Sequence, residues 1–539
     1  MSEKKNPWLP LFLTNFLSVL NDNVIKYLVI FIGVTWISVE YQPYVVPIAS
    51  ALLVIPFILF SPLAGRFAKI YEKKKIMIWG KFAEIPIMLV AIVGFIFQSL
   101  PIVMTAVLLM GLQSTMFSPA KYGLIRDIRG KEGISFGTGM MEMLTFVGVL
   151  LGTVLSGQLA NYLKEDYNIA MLSAVLLSVA VIGWVMAKLI KADESPVIES
   201  KNDTLNPVLF IWKQYRIAKH YPGVNNAIFG LSLFWLIGAT IQYDITDHAR
   251  YIFGMDDLNT GIIMSIAAIG IAVGAILTGW LSGKRVHLGY VIIGSLGLGI
   301  SMFLIMLMNP AKELFIALIF IGAFFAGFFK IPLNSYVQDA VQGRKLGDIL
   351  GYLNVMVFVF ILISAGIYAL FNYATAETVQ MNESKENRLV MLSDTIVFGN
   401  QFHKGEQLNF ENTYIFFKED KPVFGEDKTT VDSVYFAYSY EIDKLYNKGD
   451  TLIYNHLSID EISVESKDTL WIGKTFEIDN YEKNNAEFVI SSNKLVVDTL
   501  LVFGFIGLIS LLTGIFFYYK VAGAKEDFLN ILKGKLGRS

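Results

Sequence analysis

The chain has 539 residues, 54% hydrophobic and 17% charged, with 44 lysines and arginines against 46 aspartates and glutamates. Soluble domains carry about 25% charged residues, so the composition excludes an ordinary soluble fold and points to an integral membrane protein. With no cysteine, disulfides and thiolate metal sites are excluded too. The first apolar stretch follows Lys4-Lys5, outruns a signal h-region and lacks a small-residue cleavage site, so no cleavable leader is expected.

In chain order, apolar runs of roughly 20 residues or more, enough to cross a bilayer, fall near 8–38, 43–65, 76–97, 101–120, 134–160, 168–190, 224–247, 259–281, 288–308, 313–332, 346–372 and 497–519, giving twelve predicted spans. The first span carries Asn21-Asp22-Asn23 and, one turn on, Lys26. A mid-bilayer charge costs about 3 kcal/mol on insertion scales, so one kept there has a use or a partner. Asp22 and Lys26 stand four apart on one helical face, spaced to neutralise each other. Either way the block must face protein or water.

Basic residues are segregated. One side of the predicted spans holds Lys4, Lys5, Arg66, Lys69, Lys73–Lys75, Lys81, Lys121, Arg126, Arg129, Lys131, Lys188, Lys191, the 201–219 linker, Lys284, Arg285, Lys330, Arg344, Lys345 and the Lys520–Arg538 tail. The short opposite loops hold only Lys164, Arg250 and Lys312. By the bias of Lys and Arg toward the cytoplasm, both termini are expected there. The Lys73–Lys75 run is also placed to meet anionic membrane lipid.

Two segments interrupt the spans. The polar linker 191–222 contains a helical stretch, Pro207 to His220, with Trp212, Lys213, Tyr215, Arg216 and Lys219. That pattern fits an interfacial amphipathic helix or a solvated one. Between the eleventh and twelfth spans, 373–495 switches to short alternating runs at 413–417, 433–440, 451–454 and 469–472, separated by polar turns. With 22 acidic against 12 basic residues, it reads as a small acidic β-rich domain outside the cytoplasm. The predicted division is 1–190, a six-helix bundle; 191–222, the linker; 223–372, spans seven to eleven; 373–495, the insertion; 496–520, span twelve; and 521–539, a basic tail.

An internal repeat organises the spans. Gly65 pairs with Gly279 at an offset of 214, Pro119 ending span four with Pro332 ending span ten at 213, and Gly139-Met140-Met141-Glu142 with Gly351-Tyr352-Leu353-Asn354 at 212. Two six-helix halves in one orientation, joined by a cytoplasmic linker, are the architecture of the major facilitator superfamily. The expected fold is therefore an all-α membrane protein of twelve helices in two pseudo-repeats, with the β-rich domain inserted between helices 11 and 12.

In that architecture the substrate site lies near mid-membrane between the halves. The polar residues cluster on the spans that would line it: Asn21, Asp22, Asn23 and Lys26 on the first, Gln113, Ser114 and Lys121 on the fourth, Gln242, Asp244 and Asp247 on the seventh, and Lys330, Asn334 and Gln338 on the tenth. Glu142 and Asn354 add to them from the fifth and eleventh. Plainer readings stand beside these. Lys121 and Lys330 lie near cytoplasmic ends, where lysines snorkel; Asp244 and Asp247 can cap span seven with Arg250; Glu84 can form a near-surface pair with Lys81. Glycines 152, 157, 270, 274, 322 and 327 fit close helix packing. No catalytic constellation or phosphate loop is evident, so neither an enzyme nor a cofactor is expected, and nothing suggests a nucleic-acid partner.

Ser118-Pro119-Ala120-Lys121-Tyr122-Gly123 resembles the signature of the lysophospholipid transporter family, a bacterial inner-membrane branch of that superfamily. So do Asn21-Asp22-Asn23, Met141-Glu142, Leu233-Phe234-Trp235, Ala268-Ile269-Gly270 with Gly274, and Phe329 to Gln338. The resemblance covers about 1–370 and the last span. It implies inward movement of lysophospholipids, or another single-chain lipid, which a separate acyltransferase then re-acylates. Asp22 and Asn23 would meet the headgroup, Glu142 would organise the cavity and Lys121 would serve the cytoplasmic gate. The candidate binding set is thus Asn21, Asp22, Asn23, Lys26, Glu142, Gln242, Asn334 and Asn354, and the candidate gate is Lys69, Lys121, Tyr122 and Gln338. Two departures bear on it. The loop after span two reads Arg66-Phe67-Ala68-Lys69, without the family's Asp, and Gln242 stands where a basic residue is expected, leaving Lys26 to supply a cation. Two other readings stay open: a drug or small-metabolite proton antiporter, and a membrane-anchored binding protein whose 373–495 domain engages an extracytoplasmic protein.

Overall fold

The computed structural model describes residues 7–36, 42–165, 169–197, 204–255 and 257–376, the backbone of short strands between 377 and 496, and residues 497–521 and 523–533. Lys4, Lys5, 201–203 of the linker and 534–539 of the tail lie outside the described residues. The chain divides into two compact units, Met1–Ala374 with Asp498–Ser539, and Thr375–Val497.

The first unit is helical: α1 Leu9–Phe31, α2 Gln42–Ile70, α3 Lys73–Ile96, α4 Leu100–Arg129, α5 Ile134–Glu165, α6 Ile169–Leu189, α7 Pro207–Ala218, α8 Val224–Asp247, α9 Asp257–Ser282, α10 Gly289–Met308, α11 Lys312–Ala340, α12 Lys345–Thr375, α13 Thr499–Lys520 and α14 Ala524–Leu532. Among the described residues, eleven of these are long and apolar enough to cross a membrane. Helix α1 has 23 residues, and its Asn-Asp-Asn block with Lys26 keeps it less apolar than the eleven. Exposed Trp79, Trp280 and Tyr519 lie at the ends of α3, α9 and α13 that meet the basic segments, where amphipathic rings sit at a bilayer surface. The chain is a multi-pass membrane protein.

Helix pairings recur between the halves. In the first, α3 packs on α4 and α6, α2 on α4, and α1 on α6; in the second, α10 packs on α11 and α13, α9 on α11, and α8 on α13. Two expected ends are corrected. Helix α4 continues through Pro119 to Arg129, and α11 through Pro332 to Ala340. Each proline removes one backbone bond at a buried position, which neighbouring helices tolerate.

The first-half core gathers Val24, Leu28, Met88, Phe95, Val107 and Leu176 around one polar knot. The Lys81–Glu84 pair is no near-surface contact. The two side chains are 0% and 1% exposed, and Glu84 also accepts from Asn21 Nδ2 (2.9 Å) and Ser18 Oγ (3.4 Å). Gly183 of α6 leaves the room, because a Cβ there would run into the Lys81 side chain. Breaking such a buried pair from one side costs about 3–5 kcal/mol. Thermal unfolding of detergent-solubilised Lys81→Met is therefore expected to show that loss, and adding Glu84→Gln is expected to recover most of it.

The linker helix α7 is capped by Asn206, whose Oδ1 accepts from the amides of Val208 (3.0 Å) and Leu209 (3.2 Å). It exposes Val208, Leu209 and Trp212 while burying Phe210 and Gln214. In the second unit all described pairings are antiparallel. Glu377–Glu386 pairs with Glu487–Val496 along its whole length, and Thr413–Phe417, Ser433–Tyr438 and Leu445–Asn447 form a three-stranded sheet. Residues 439–440, 454 and 472 of the alternating runs lie outside the described residues.

Candidate functional site

Two glycine contacts related by the repeat close one face between the halves. A Cβ on Gly65 of α2 would lie 3.0 Å from Gly347 O, 3.2 Å from Asp348 Cα and 3.4 Å from Gly351 Cα of α12. A Cβ on Gly279 of α9 would lie 2.9 Å from Ser135 O, 3.6 Å from Phe136 Cα and 3.3 Å from Gly139 Cα. Residues 135, 136 and 139 each precede 347, 348 and 351 by 212, so the two contacts are one contact made twice. Both lie at the helix ends joined to the basic segments, the basic face.

Polar contacts seal the same face. Lys69 of α2 pairs with Asp348 of α12 (3.0 Å), Lys131 with Asp339 (3.3 Å) and Lys284 with Glu132 (3.0 Å). Arg126 of α4 donates to the carbonyls of Gln338 (2.8 Å) and Asp339 (2.9 Å) at the end of α11. Arg344 donates to the carbonyls of Tyr71 (2.6 Å) and Ser195 (2.8 Å) and pairs with Glu194 (3.2 Å).

The seal climbs toward mid-membrane because helical residues four apart share a face. On α11, Lys330, Asn334 and Gln338 form such a stripe, and on α5 Thr138 and Glu142 face it. Gln338 Nε2 donates to Thr138 Oγ1 (3.1 Å). One turn higher, Lys330 Nζ donates to Glu142 Oε2 (2.6 Å), and Glu142 Oε1 accepts from Tyr122 Oη of α4 (2.8 Å) and Asn334 Nδ2 (3.4 Å). Lys330 Nζ also lies over the rings of Trp235 (4.5 Å), Phe146 (5.6 Å) and Phe234 (5.7 Å). Beside this lock, Asn354 Nδ2 of α12 donates to Ser118 Oγ of α4 (3.0 Å).

Above the lock α5 and α9 part, while Phe57 of α2 still stacks on Phe358 of α12 (4.1 Å). Gly157 lies 18 residues beyond Gly139 on α5, and Gly261 lies 18 before Gly279 on α9. Five turns at 3.6 residues per turn bring each back to its partner's face, yet neither has an atom within 4 Å of an added Cβ. The two helices touch at the basic face and diverge from it. The cleft is open on the opposite side.

Helix α1 turns two faces to its surroundings. Asp22, Asn23, Lys26 and Tyr27 are half-buried along one stripe. Asp22 Oδ2 accepts from Ser114 Oγ of α4 (2.9 Å). No ion pair joins Asp22 to Lys26 among the described residues; Lys26 Nζ lies over the Tyr27 ring at 5.4 Å instead. The expected self-neutralised pair is thus replaced, because α4 presents a hydroxyl directly to the carboxylate. Asn23 donates to Val19 O of its own helix (2.7 Å) and packs beside Gly152 of α5. Asn21 points the other way, into the Glu84 knot, away from the cleft. Lys121 Nζ donates to Asn15 Oδ1 (3.0 Å) and feels the charges of Glu142, Asp22 and Lys330, so it stands between the α1 carboxylate and the lock. Gln242 is exposed, two turns beyond Trp235 on the cleft-facing side of α8, with Gly238 between them facing open space.

Lys330 was readable as a snorkelling lysine. It is 3% exposed and bonded across the halves, and the signal that separates the two is the 330–334–338 stripe. Arg126, Arg344, Thr138 and Asp348 had no signal beyond charge or helix position. The arrangement is a closed polar floor beneath an open cleft, the form of a transporter caught with one gate shut.

Solved structures share this fold. The human organic anion transporter MFSD10 matches with a TM-score of 0.55 at 15% identity, covering 68% of this chain and 93% of that one. A bacterial homologue of the iron transporter ferroportin, in an outward-facing state, matches with a TM-score of 0.52 at 14% identity over 68% and 93%. The Major Facilitator Superfamily model matches residues 11–365, and the chain belongs to that family. Among curated relatives, the lysophospholipid transporter LplT of Photorhabdus laumondii is 23% identical over 381 residues, and that of Cronobacter sakazakii 25% identical over 364. Each match covers 66% of this chain and 86% of the relative. An Escherichia coli LplT is 26% identical over 371 residues, with the same coverage.

Proposed function

We propose that this protein moves a lysophospholipid, or another single-chain lipid, across the bacterial inner membrane by alternating access. The observation that carries the reading is the cleft with a polar floor and diverging helical walls. A headgroup can descend to Asp22, Lys26 and Gln242 while its acyl chain stays against apolar helix surface. The names of the LplT relatives support the same substrate. Helix α1 acts as the first of twelve spans, since its polar stripe faces the cleft rather than lipid. The Lys and Arg bias supports a cytoplasmic basic face with both termini on that side, and in that orientation the present conformer is outward-open. Thr375–Val497 then lies on the periplasmic side as the β-rich domain, and a separate acyltransferase consumes the delivered lipid.

The test is translocation of labelled lysophosphatidylethanolamine by the full-length protein in liposomes. Wild type is expected to translocate and Asp22→Asn to be at least several-fold slower, because an amide cannot reproduce the carboxylate facing Ser114 and Lys121. A wild type that moves no lipid sinks the lipid reading. Excision of 375–497 is expected to leave translocation unchanged, which counts against the reading in which that segment is the working part; lost capture of an extracytoplasmic protein with intact translocation would support a binding role for it.

A further inference from the structure

The end of α8 far from the basic face holds a second polar cluster that the lock does not use. Asp244 is 0% exposed, and among the described residues neither of its carboxylate oxygens has a hydrogen-bond partner. One turn on, His248 is also 0% exposed, with Nδ1 2.7 Å from Thr499 Oγ1 of α13 and Nε2 without a partner among the described residues. Its ring stacks on Phe315 of α11 (4.7 Å) and meets Phe253 edge-on (4.8 Å). At His248–Ile252 the helix widens into a π-turn, a local form frequent at functional sites.

Among the described residues no basic side chain is paired with Asp244. The charges that act on it are Asp247 of its own helix and Asp498 before α13, both acidic. Arg250 acts on Asp247 instead, and Asp247 already accepts from Tyr368 Oη of α12 (2.6 Å). Tyr243 meets the Tyr368 ring at 5.5 Å. Helix α11 brings Phe315 here, and its Lys312 and Glu313 are solvent-exposed. An ionised carboxylate buried without partners among other acids is strongly disfavoured, and the group takes a proton instead.

We propose that Asp244 is a proton-binding site that couples this transporter to a proton gradient. In the present conformer Asp244 is the neutral acid. The Asp247–Tyr368 bond ties α8 to α12 within the second half, and when α8 shifts against α12 during the transport cycle that tie opens and water reaches Asp244. Its O–H bond then breaks, the proton passes to water and the carboxylate remains, to be reprotonated when the cluster closes again. The coupling rests on the transport reading above; the site itself does not.

Two measurements on the full-length protein separate them. Infrared spectra of membrane-embedded protein at neutral pH are expected to show a protonated carboxylic-acid C=O band that disappears in Asp244→Asn and persists in Asp22→Asn. Asn copies the neutral acid, so Asp244→Asn is expected to keep the wild-type unfolding midpoint. In liposomes a pH gradient is expected to accelerate wild-type lysophosphatidylethanolamine uptake at least fivefold and to leave Asp244→Asn at the gradient-free rate. An unchanged band, or a variant that keeps its pH-gradient response, overturns the proposal. A sodium gradient that drives uptake only when Asp244 is present overturns it in favour of a cation site. A wild type that moves no lipid defeats the substrate reading alone, because the infrared band needs no substrate.

Discussion

Lys330→Met is expected to open the basic face and to slow translocation at least tenfold. In the closed-floor conformer the substitution leaves Glu142 buried with only Tyr122 and Asn334 as donors. An unpaired buried charge costs about 3–5 kcal/mol. That cost falls on the conformer that buries Glu142 and is relieved where water enters between α5 and α11. At about 1.4 kcal/mol per factor of ten, the ratio of conformers should move by two orders of magnitude or more. The chain contains no cysteine, so paired spin labels on introduced cysteines at the basic ends of α5 and α11 report the opening without background. Adding Glu142→Gln removes the stranded charge and is expected to return the closed population without restoring the transport rate. Unchanged label distances in Lys330→Met would show that the lock does not hold the gate.

Leucine at either end of the α5–α9 seam is expected to have opposite effects on conformation. At Gly139 a Cβ would already lie 2.6 Å from Ala275 O, and at Gly279 2.9 Å from Ser135 O. The obstacle is backbone, which cannot step aside as a side chain does. Gly139→Leu and Gly279→Leu should therefore exclude the present conformer. Gly157→Leu and Gly261→Leu cost nothing in it, since both positions face open space, but should block the approach of the same two helices at their far ends. All four variants are expected to lose most transport. With one cysteine introduced at the basic face, a cysteine-reactive probe should label the first pair faster than the same cysteine in an otherwise wild-type chain and the second pair more slowly. Matching labelling in both pairs would mean that α5 and α9 do not pivot about this seam.

The repeat was legible because each of its glycines sits where the halves touch, and close backbone approach leaves no choice of residue. Gly65, Gly279, Gly139 and Gly351 were visible from their offsets, and their contacts show why the offsets persist. The polar stripes on α1 and α11 were legible too, since spacing of three and four defines a helical face. Spacing does not say which neighbour that face meets. Asn21 and Asp22 are adjacent in sequence but 100° apart around α1, so one joins Glu84 inside the first half and the other lines the cleft. Lys330 and Lys81 were ambiguous for a similar reason: a lysine near a helix end reads alike whether it reaches water or a buried carboxylate. Asp244 was read as a polar residue of a cavity-lining span, with a cap at its outer end as the plainer reading; the packing of α13 and α11 buries it instead, with no hydrogen-bond partner among the described residues.

The seal has an uneven genetics. Arg126 and Arg344 donate to main-chain carbonyls of Gln338, Asp339, Tyr71 and Ser195, the first three at or just beyond helix ends, where peptide dipoles concentrate negative charge, and the last in the linker. Every amino acid carries that oxygen. A selection for variants with a leaky gate should therefore recover changes at the two arginines and almost none at Tyr71 and Ser195, whose main chain alone they grip. Gln338 and Asp339 also use their side chains, on Thr138 and Lys131, so they share the exposure of the donors.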